Sequence, residues 1–204
     1  MIIHTMPQRS DEWYSVRCGK FTASDFDDLM PGKNKPIDYF TDTQMRIIYR
    51  VAAERITGAP IDGGYISKAM QWGIDTEAEA RAAFEMETGK AVDEVGFCEM
   101  NEWVGCSPDG LIGEHSGLEL KCPNSDTHLR YLDQGFGRDY YYQVQGSMWI
   151  TGRGWYLASY DPRFRDNQLY ITEVQPCEES MVLLHDRLDC AILKAKEIIR
   201  RHHE

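Results

Sequence analysis

The stretch Gly105-Cys106-Ser107-Pro108-Asp109-Gly110-Leu111-Ile112-Gly113-Glu114-His115-Ser116-Gly117-Leu118-Glu119-Leu120-Lys121-Cys122-Pro123 carries the densest chemistry of this 204-residue chain. Pro108, Gly110, Gly113 and Gly117 punctuate it as turns, and residues 111–112 and 118–120 read as short apolar strands. Side chains alternate along a strand, so Glu119 and Lys121 share one face and Leu118 and Leu120 the other. A hairpin turning near 113–117 brings the start of its first strand beside the end of its second, which places Asp109 close to Glu119 and Lys121. Two carboxylates this close repel unless a cation lies between them. Hard oxygen donors of this kind suit magnesium or manganese rather than zinc.

Taken singly, Asp-Gly is a common turn and a Glu-x-Lys strand face is commonly just solvated. Together, Pro108-Asp109 followed ten positions later by Glu119-Leu120-Lys121 is a narrower pattern. It resembles the signature of the PD-(D/E)xK nuclease superfamily.

Composition bounds the rest. With 42% apolar residues and 204 positions, the chain has enough material for a real core and reads as one domain over 1–204, which the resemblance makes a nuclease domain. No apolar run approaches the ~20 residues of a membrane span. The opening Met-Ile-Ile-His-Thr-Met lacks the charged start and apolar run of a signal peptide, so the expectation is a cytoplasmic protein. Six cysteines without a Cys-x-x-Cys pair read as reduced packing residues. The formal charge of −11 is unevenly spread. Residues 60–120 hold thirteen Asp and Glu against three Lys and Arg, whereas 1–59 hold eight of each. A uniformly basic surface is excluded; DNA is not, provided basic groups outside 60–120 hold it and divalent metal offsets part of the acidity.

In chain order, Ser10 or Asp11 caps a short helix through Arg17, ended by Gly19, and Thr22 or Ser24 caps a second towards Met30. On the residues alone, Arg17 and Ser24 are a surface cation and a cap. Residues 31–40 are a loop whose Lys33 and Lys35 either touch phosphates or are solvated, and 60–65 is a turn. Apolar spacing predicts helices over 42–57, closed by Gly58, and over 67–88, closed by Gly89. Glu77 shares the inward stripe of the second with Gly73, Ala80 and Phe84. A carboxylate there is costly unless it lies at the stripe's edge, is paired, or binds metal. Residues 92–98 and 103–106 read as strands, 124–139 as a polar irregular loop, 140–151 as a helix, 155–160 and 168–174 as strands, and 178–203 as an amphipathic helix. This order predicts an α/β domain with a mixed central sheet flanked by helices. His202 and His203 sit on an exposed basic end.

Four blocks resemble the phage lambda exonuclease family of alkaline 5′-to-3′ exonucleases: Arg17 with Thr22-Ala23-Ser24; Trp72-Gly73 through Glu77 and Ala80-Arg81; Ser107-Pro108-Asp109-Gly110-Leu111 with Leu118-Glu119-Leu120-Lys121-Cys122-Pro123; and Gln143-Val144-Gln145, Ser147-Met148-Trp149 and Tyr160-Asp161-Pro162-Arg163. The resemblance implies a restriction-endonuclease-like PD-(D/E)xK core and a ring-shaped homotrimer around duplex DNA. It also implies Mg2+-dependent, processive release of 5′ mononucleotides, leaving a 3′ single-stranded overhang for recombination. It assigns Asp109, Glu119 and the Leu120 carbonyl to metal, Glu77 to a second metal or its water, Lys121 to the attacking water's proton, and Gln143 to the water's position. Two Mg2+ ions per site are expected, with Mn2+ a substitute, and Lys121's pKa is expected to be lowered by these cations.

Arg17, Ser24 and Ser107 match the family's 5′-phosphate pocket, while Thr127 stands where the family has a further arginine; Arg130 or Lys20 is the candidate substitute. Met70 matches an apolar wedge that parts the strands. Implied partners are 5′-phosphorylated duplex ends and a single-strand annealing protein, in a phage or prophage setting within a bacterial host. A PD-(D/E)xK endonuclease and a non-catalytic DNA-end-binding ring are the alternative functions.

Overall fold

The structure, a computed structural model, describes residues 1–30, 32, 35–61 and 67–203, the last without its side chain. Lys33, the side chain of His203 and most of the turn expected at 60–65 lie outside the described residues. The chain runs β1 (Ile2–His4), α1 (Asp11–Arg17), β2 (Phe21–Thr22), a 3-10 turn (Ala23–Asp25), α2 (Phe26–Leu29), α3 (Asp42–Thr57) and α4 (Lys68–Thr88). It continues β3 (Phe97–Glu99), β4 (Val104–Cys106), β5 (Gly110–Ile112), β6 (Ser116–Lys121), α5 (Ser125–Gln134), α6 (Tyr141–Thr151), β7 (Gly154–Tyr160), β8 (Leu169–Val174) and α7 (Glu178–His203).

The helix ends follow local chemistry. Ser10 accepts from the Trp13 amide to start α1, and Thr41 forms a reciprocal box with Gln44 to start α3. Gly58 and Gly89 close α3 and α4 in the left-handed region, where a side chain would be strained.

The expected α/β fold is present, but its strands form two mixed four-stranded sheets, ordered β1-β3-β4-β2 and β5-β6-β7-β8. In the first, β2 and β4 are parallel and the other pairs antiparallel; in the second, β6 and β7 are parallel. The sequence reading missed β1 and β2, which are too short to show a period. It also took 124–139 for a loop where α5 forms. Asn124 stands at the N-terminus of α5 and Gly135 at its end, while only His128 and Tyr131 turn into the core, too few to make an apolar stripe.

Each sheet has its own packing. Phe21, Val104 and Cys98 pack with Phe26 of α2, Ile48 and Val51 of α3, and Leu184, Leu188 and Ala191 of α7. On the second sheet Leu118, Leu120, Ala158 and Tyr160 take Ala80 and Phe84 of α4. A third cluster joins Trp155 and Leu157 of β7 to Tyr131 of α5 and to Val144 and Met148 of α6. Burying each large side chain of this kind stabilises the fold by about 1.5–3 kcal/mol. Gly146 matters here because a Cβ on it would run into the Phe26 ring, so only glycine lets α6 lie this close to α2. The six cysteines are free thiols. Among the described residues no helix is long and apolar enough to cross a membrane.

Candidate active site

Strand register brings the hairpin's polar residues together. Asp109 precedes β5; its amide donates to the Leu118 carbonyl at 3.0 Å, and its Oδ2 accepts from the Leu120 amide at 2.6 Å. Glu119, 4% exposed, accepts at one oxygen from Lys121 Nζ (2.7 Å) and from Gln143 Nε2 (2.6 Å). Lys121 also donates to Gln143 Oε1 at 3.3 Å. Gln143 reaches this spot from the first turn of α6, whose N-terminus is capped across 115 residues of chain: Asp27 of α2 accepts from the amides of Tyr142 and Gln143. The hairpin supplies Asp109, Glu119 and Lys121, and a helix from elsewhere supplies Gln143.

The electrostatics are lopsided. Removal from water, then the Glu119 and Glu77 carboxylates, push Asp109 well above the usual carboxylate range, against the pull of Lys121 and the Leu120 amide. Burial works to lower Lys121, but Glu119 and Asp109 outweigh it and raise its pKa. The lowering expected from the sequence is not what these protein neighbours produce, because they are anions.

Glu77 is the misplaced carboxylate of α4, and its pairing answers part of the puzzle. One oxygen accepts from Arg81 NH2 at 3.0 Å, the other from Arg9 NH2 at 2.6 Å, and its side chain is 17% exposed. Arg81 also pairs with Glu94 at 2.8 Å and reaches the Asp109 carbonyl at 3.3 Å. The i, i+4 spacing of Glu77 and Arg81 is a signal from which that pair could have been found, although it was missed in the sequence. Nothing in the sequence pointed to Arg9. A cleft of about 510 Å3 is lined by Arg9, Met70, Glu77, Asp109, Glu119, Lys121 and Tyr140 among others. Met70, the expected wedge, stands at its wall 56% exposed. Arg9 and Tyr140 were both missed.

Among the described residues no three His, Cys, Asp or Glu side chains form a ready metal-binding group. The donor chemistry nevertheless fits a hard divalent cation. Asp109 and Glu119 supply carboxylate oxygens beside the Leu120 peptide, with Lys121 as the cation bonded to Glu119. Glu77 is occupied by two arginines, so a cation binding there competes with Arg9.

A second cluster lies along the same strand run, two residues before Asp109. Arg17 NH1 donates to Ser107 Oγ at 2.7 Å and NH2 to Thr22 Oγ1 at 3.3 Å, and Thr22 Oγ1 is 3.0 Å from Ser24 Oγ. The guanidinium lies 4.2 Å over the Trp13 ring. Burial brings the Arg17 pKa down to about 10, with Asp25 pulling the other way and Arg50 adding to the fall. The three residues expected to hold a 5′-phosphate therefore converge, and Arg17 is held by hydroxyls rather than a carboxylate.

Neither suggested replacement for the family's arginine joins them. Lys20 pairs with Glu99 (3.4 Å) and Arg130 with Asp139 (2.6 Å). The second cation near Arg17 is Arg50, held by Asp25 at 2.8 Å.

Two carboxylates and a lysine gathered on the hairpin of a mixed sheet flanked by helices are the arrangement of the PD-(D/E)xK type of nuclease fold. Residues 12–154 match the YqaJ-like viral recombinase domain, and the chain belongs to that family, as its resemblance to lambda exonucleases implies. The fold is similar to the crystal structure of an alkaline exonuclease (LHK-Exo) from Laribacter hongkongensis. The TM-score is 0.83 and the identity 30%, covering 94% of this chain and 95% of that one. LHK-Exo in complex with dAMP matches with a TM-score of 0.84 at 29% identity, over 94% and 95% of the two chains. A phage related exonuclease from Haemophilus somnus 129PT shares the fold at 15% identity and a TM-score of 0.72, over 92% of this chain and 98% of that one. No curated protein sequence matches the chain.

Proposed function

We propose that this protein is an exonuclease acting on linear double-stranded DNA, degrading it 5′ to 3′ and releasing 5′ mononucleotides. The observation that carries the reading is the pairing of two sites of opposite need. Asp109, Glu119, Lys121 and Gln143 form an acid-rich cleft, and Arg17, Ser24 and Ser107 form an anion seat only two residues from Asp109 along the chain. A terminal 5′-phosphate in the seat sets the first phosphodiester bond beside the carboxylates. An endonuclease has no use for a terminal-phosphate seat.

In this reading Asp109, Glu119 and the Leu120 carbonyl would hold Mg2+, and Glu77 would serve a second ion in competition with Arg9. When bound, the metal would activate water and stabilise charge on the phosphate and leaving oxygen. Gln143, hydrogen-bonded to both Glu119 and Lys121, positions the attacking water, and Lys121 takes part in removing its proton. Met70 at the cleft wall meets the strands where they part. A homotrimeric ring in the cytoplasm, processive on DNA and handing a 3′ overhang to a single-strand annealing protein, completes the proposal.

The test is nucleotide release in Mg2+ from linear duplex carrying a 5′-phosphate, beside closed circular DNA. Loss of the linear substrate from its 5′ ends with the circle intact is the expected result. Cutting of the circle favours an endonuclease, and end binding without cleavage favours a scaffold.

A further inference from the structure

Tyr140 belongs to no motif above, yet the fold singles it out. Among the described residues three non-glycine residues have positive φ, and two of them, Arg9 at 68° and Tyr140 at 60°, line the candidate cleft. For a bulky aromatic residue this backbone region is a genuine outlier. Such strain persists where surrounding structure enforces it, and it gathers at functional sites. Tyr140 stands immediately before α6, the helix that carries Gln143, and its own side chain does not cap that helix; Asp27 does so from α2. A glycine would meet the backbone requirement without strain. The turn therefore does not account for an aromatic ring at this position.

The ring has a partner. Lys121 Nζ lies 4.1 Å from the Tyr140 ring centroid, over its face. The same ammonium is held by Glu119 at 2.7 Å and Gln143 at 3.3 Å, so one group of β6 and two at the start of α6 fix one nitrogen. A ring face attracts an ammonium electrostatically but offers no lone pair to compete for its proton. A carboxylate in the same place would.

We propose that Tyr140 is a positioning residue: its ring face holds the Lys121 amine at a fixed point beside Glu119 and Gln143, and so sets where Lys121 meets the attacking water. The inference rests on the reading of Lys121 given above.

The experiment compares Tyr140→Phe, Tyr140→Leu and Tyr140→Gly with the unmodified protein and with Lys121→Ala. Initial rates are taken on 5′-phosphorylated linear duplex over a range of concentrations. The expected result is that Leu and Gly lower kcat roughly tenfold with KM within about twofold, as loss of a desolvated cation–π contact predicts, while Phe restores kcat to within about twofold. Leu retains apolar bulk and Gly removes the backbone strain, so a misfolded turn cannot explain a shared loss. Wild-type kcat in both variants overturns the proposal. So does a rise in KM alone, or a Phe variant as slow as Gly, which would assign the role to the hydroxyl.

A second readout needs no turnover. Aromatic ring current should displace the NMR signals of the Lys121 ε-methylene upfield in the unmodified protein and in Phe, and the displacement should vanish in Leu and Gly. Its presence with no nucleotide release from the unmodified protein would sink the exonuclease reading while keeping the contact; its absence would sink the contact itself.

Discussion

The two sheets present opposite electrostatic problems at one place. The β5–β8 sheet offers carboxylates with too little positive charge around them: Asp109 is raised by burial and by Glu119 and Glu77, and Lys121 is shared among its neighbours. The β1–β4 sheet backs the reverse case, an arginine brought down to about 10 by burial and partnered by the hydroxyls of Ser107 and Thr22. Only Ser107, Pro108 and Asp109 separate β4 from β5. The short run along which the chain passes from one sheet to the other thus joins a place that wants a cation to a place that wants an anion. The proposed metal-dependent action at a phosphorylated DNA end would supply both. The net charge of −11 misleads because it sums over an acidic segment and a charge-balanced one.

The largest effect should come from the acidic side. Lys121→Ala removes the amine that Glu119, Gln143 and Tyr140 hold, and nucleotide release should fall by roughly 10²–10⁴-fold, the usual contribution of a positioned acid or base. Affinity for duplex ends, followed by fluorescence anisotropy, should stay near that of the unmodified protein, because the arginine seat is untouched. Wild-type digestion by this variant would end the assignment of Lys121 to the attacking water. The basic side should answer differently. Arg17→Ala should slow 5′-phosphorylated duplex by about 10–100-fold, the cost of one charge-assisted hydrogen-bond partner, while leaving 5′-hydroxyl duplex nearly unchanged. Equal losses on both substrates would mean that Arg17 holds the fold rather than the phosphate.

Arg9 sits on the acidic side but belongs to the protein's own charge compensation. Its pair with Glu77 is partly exposed, at 41% and 17% for the two side chains, and is therefore worth about 0–1 kcal/mol. Arg9→Gln should tighten Mn2+ binding by no more than about fivefold, measured by titration calorimetry without DNA. Weaker binding would show that Arg9 organises Glu77 instead of competing for it.

The unequal legibility of the two sides has a physical origin. Asp109, Glu119 and Lys121 lie within a span of thirteen residues on one hairpin, so strand alternation and turn residues were enough to bring them together on paper. Helices α3 and α7 carry clear apolar periods and α3 and α4 end on glycines, so the limits of all three were readable to within a residue. The convergence of Arg17, Ser24 and Ser107 was visible only through family resemblance, since Ser107 is 90 residues from Arg17. Arg9, which crosses 68 residues to reach Glu77, matched no motif at all. Tyr140 escaped for another reason. Its distinction is a backbone angle, and no residue-type pattern encodes a strained tyrosine. The helix α5 was lost because its inward face is a histidine and a tyrosine, which do not look apolar.

The smallest expected effect is none. Thr127 stands where the resemblance to lambda exonucleases leads one to expect an arginine, and Lys20 and Arg130 are the cations the sequence offers in exchange. Lys20 is committed to Glu99, which also binds His4, and it lies with only 13% of its side chain exposed. Arg130 is bound to Asp139 and stacked at 4.6 Å on Tyr131, on the outer side of α5. Neither side chain bonds to Ser107, Ser24 or Arg17, whereas Arg50 is close enough to depress the Arg17 pKa. Lys20→Ala and Arg130→Ala should therefore keep the ratio of rates on 5′-phosphorylated and 5′-hydroxyl duplex within about twofold of the unmodified value (about 0.4 kcal/mol), since neither side chain reaches the arginine seat. Arg50→Ala should lower that ratio. A collapse of the ratio in the Arg130 variant would place α5 at the DNA end after all, and the division of labour between the two sheets would have to include that helix.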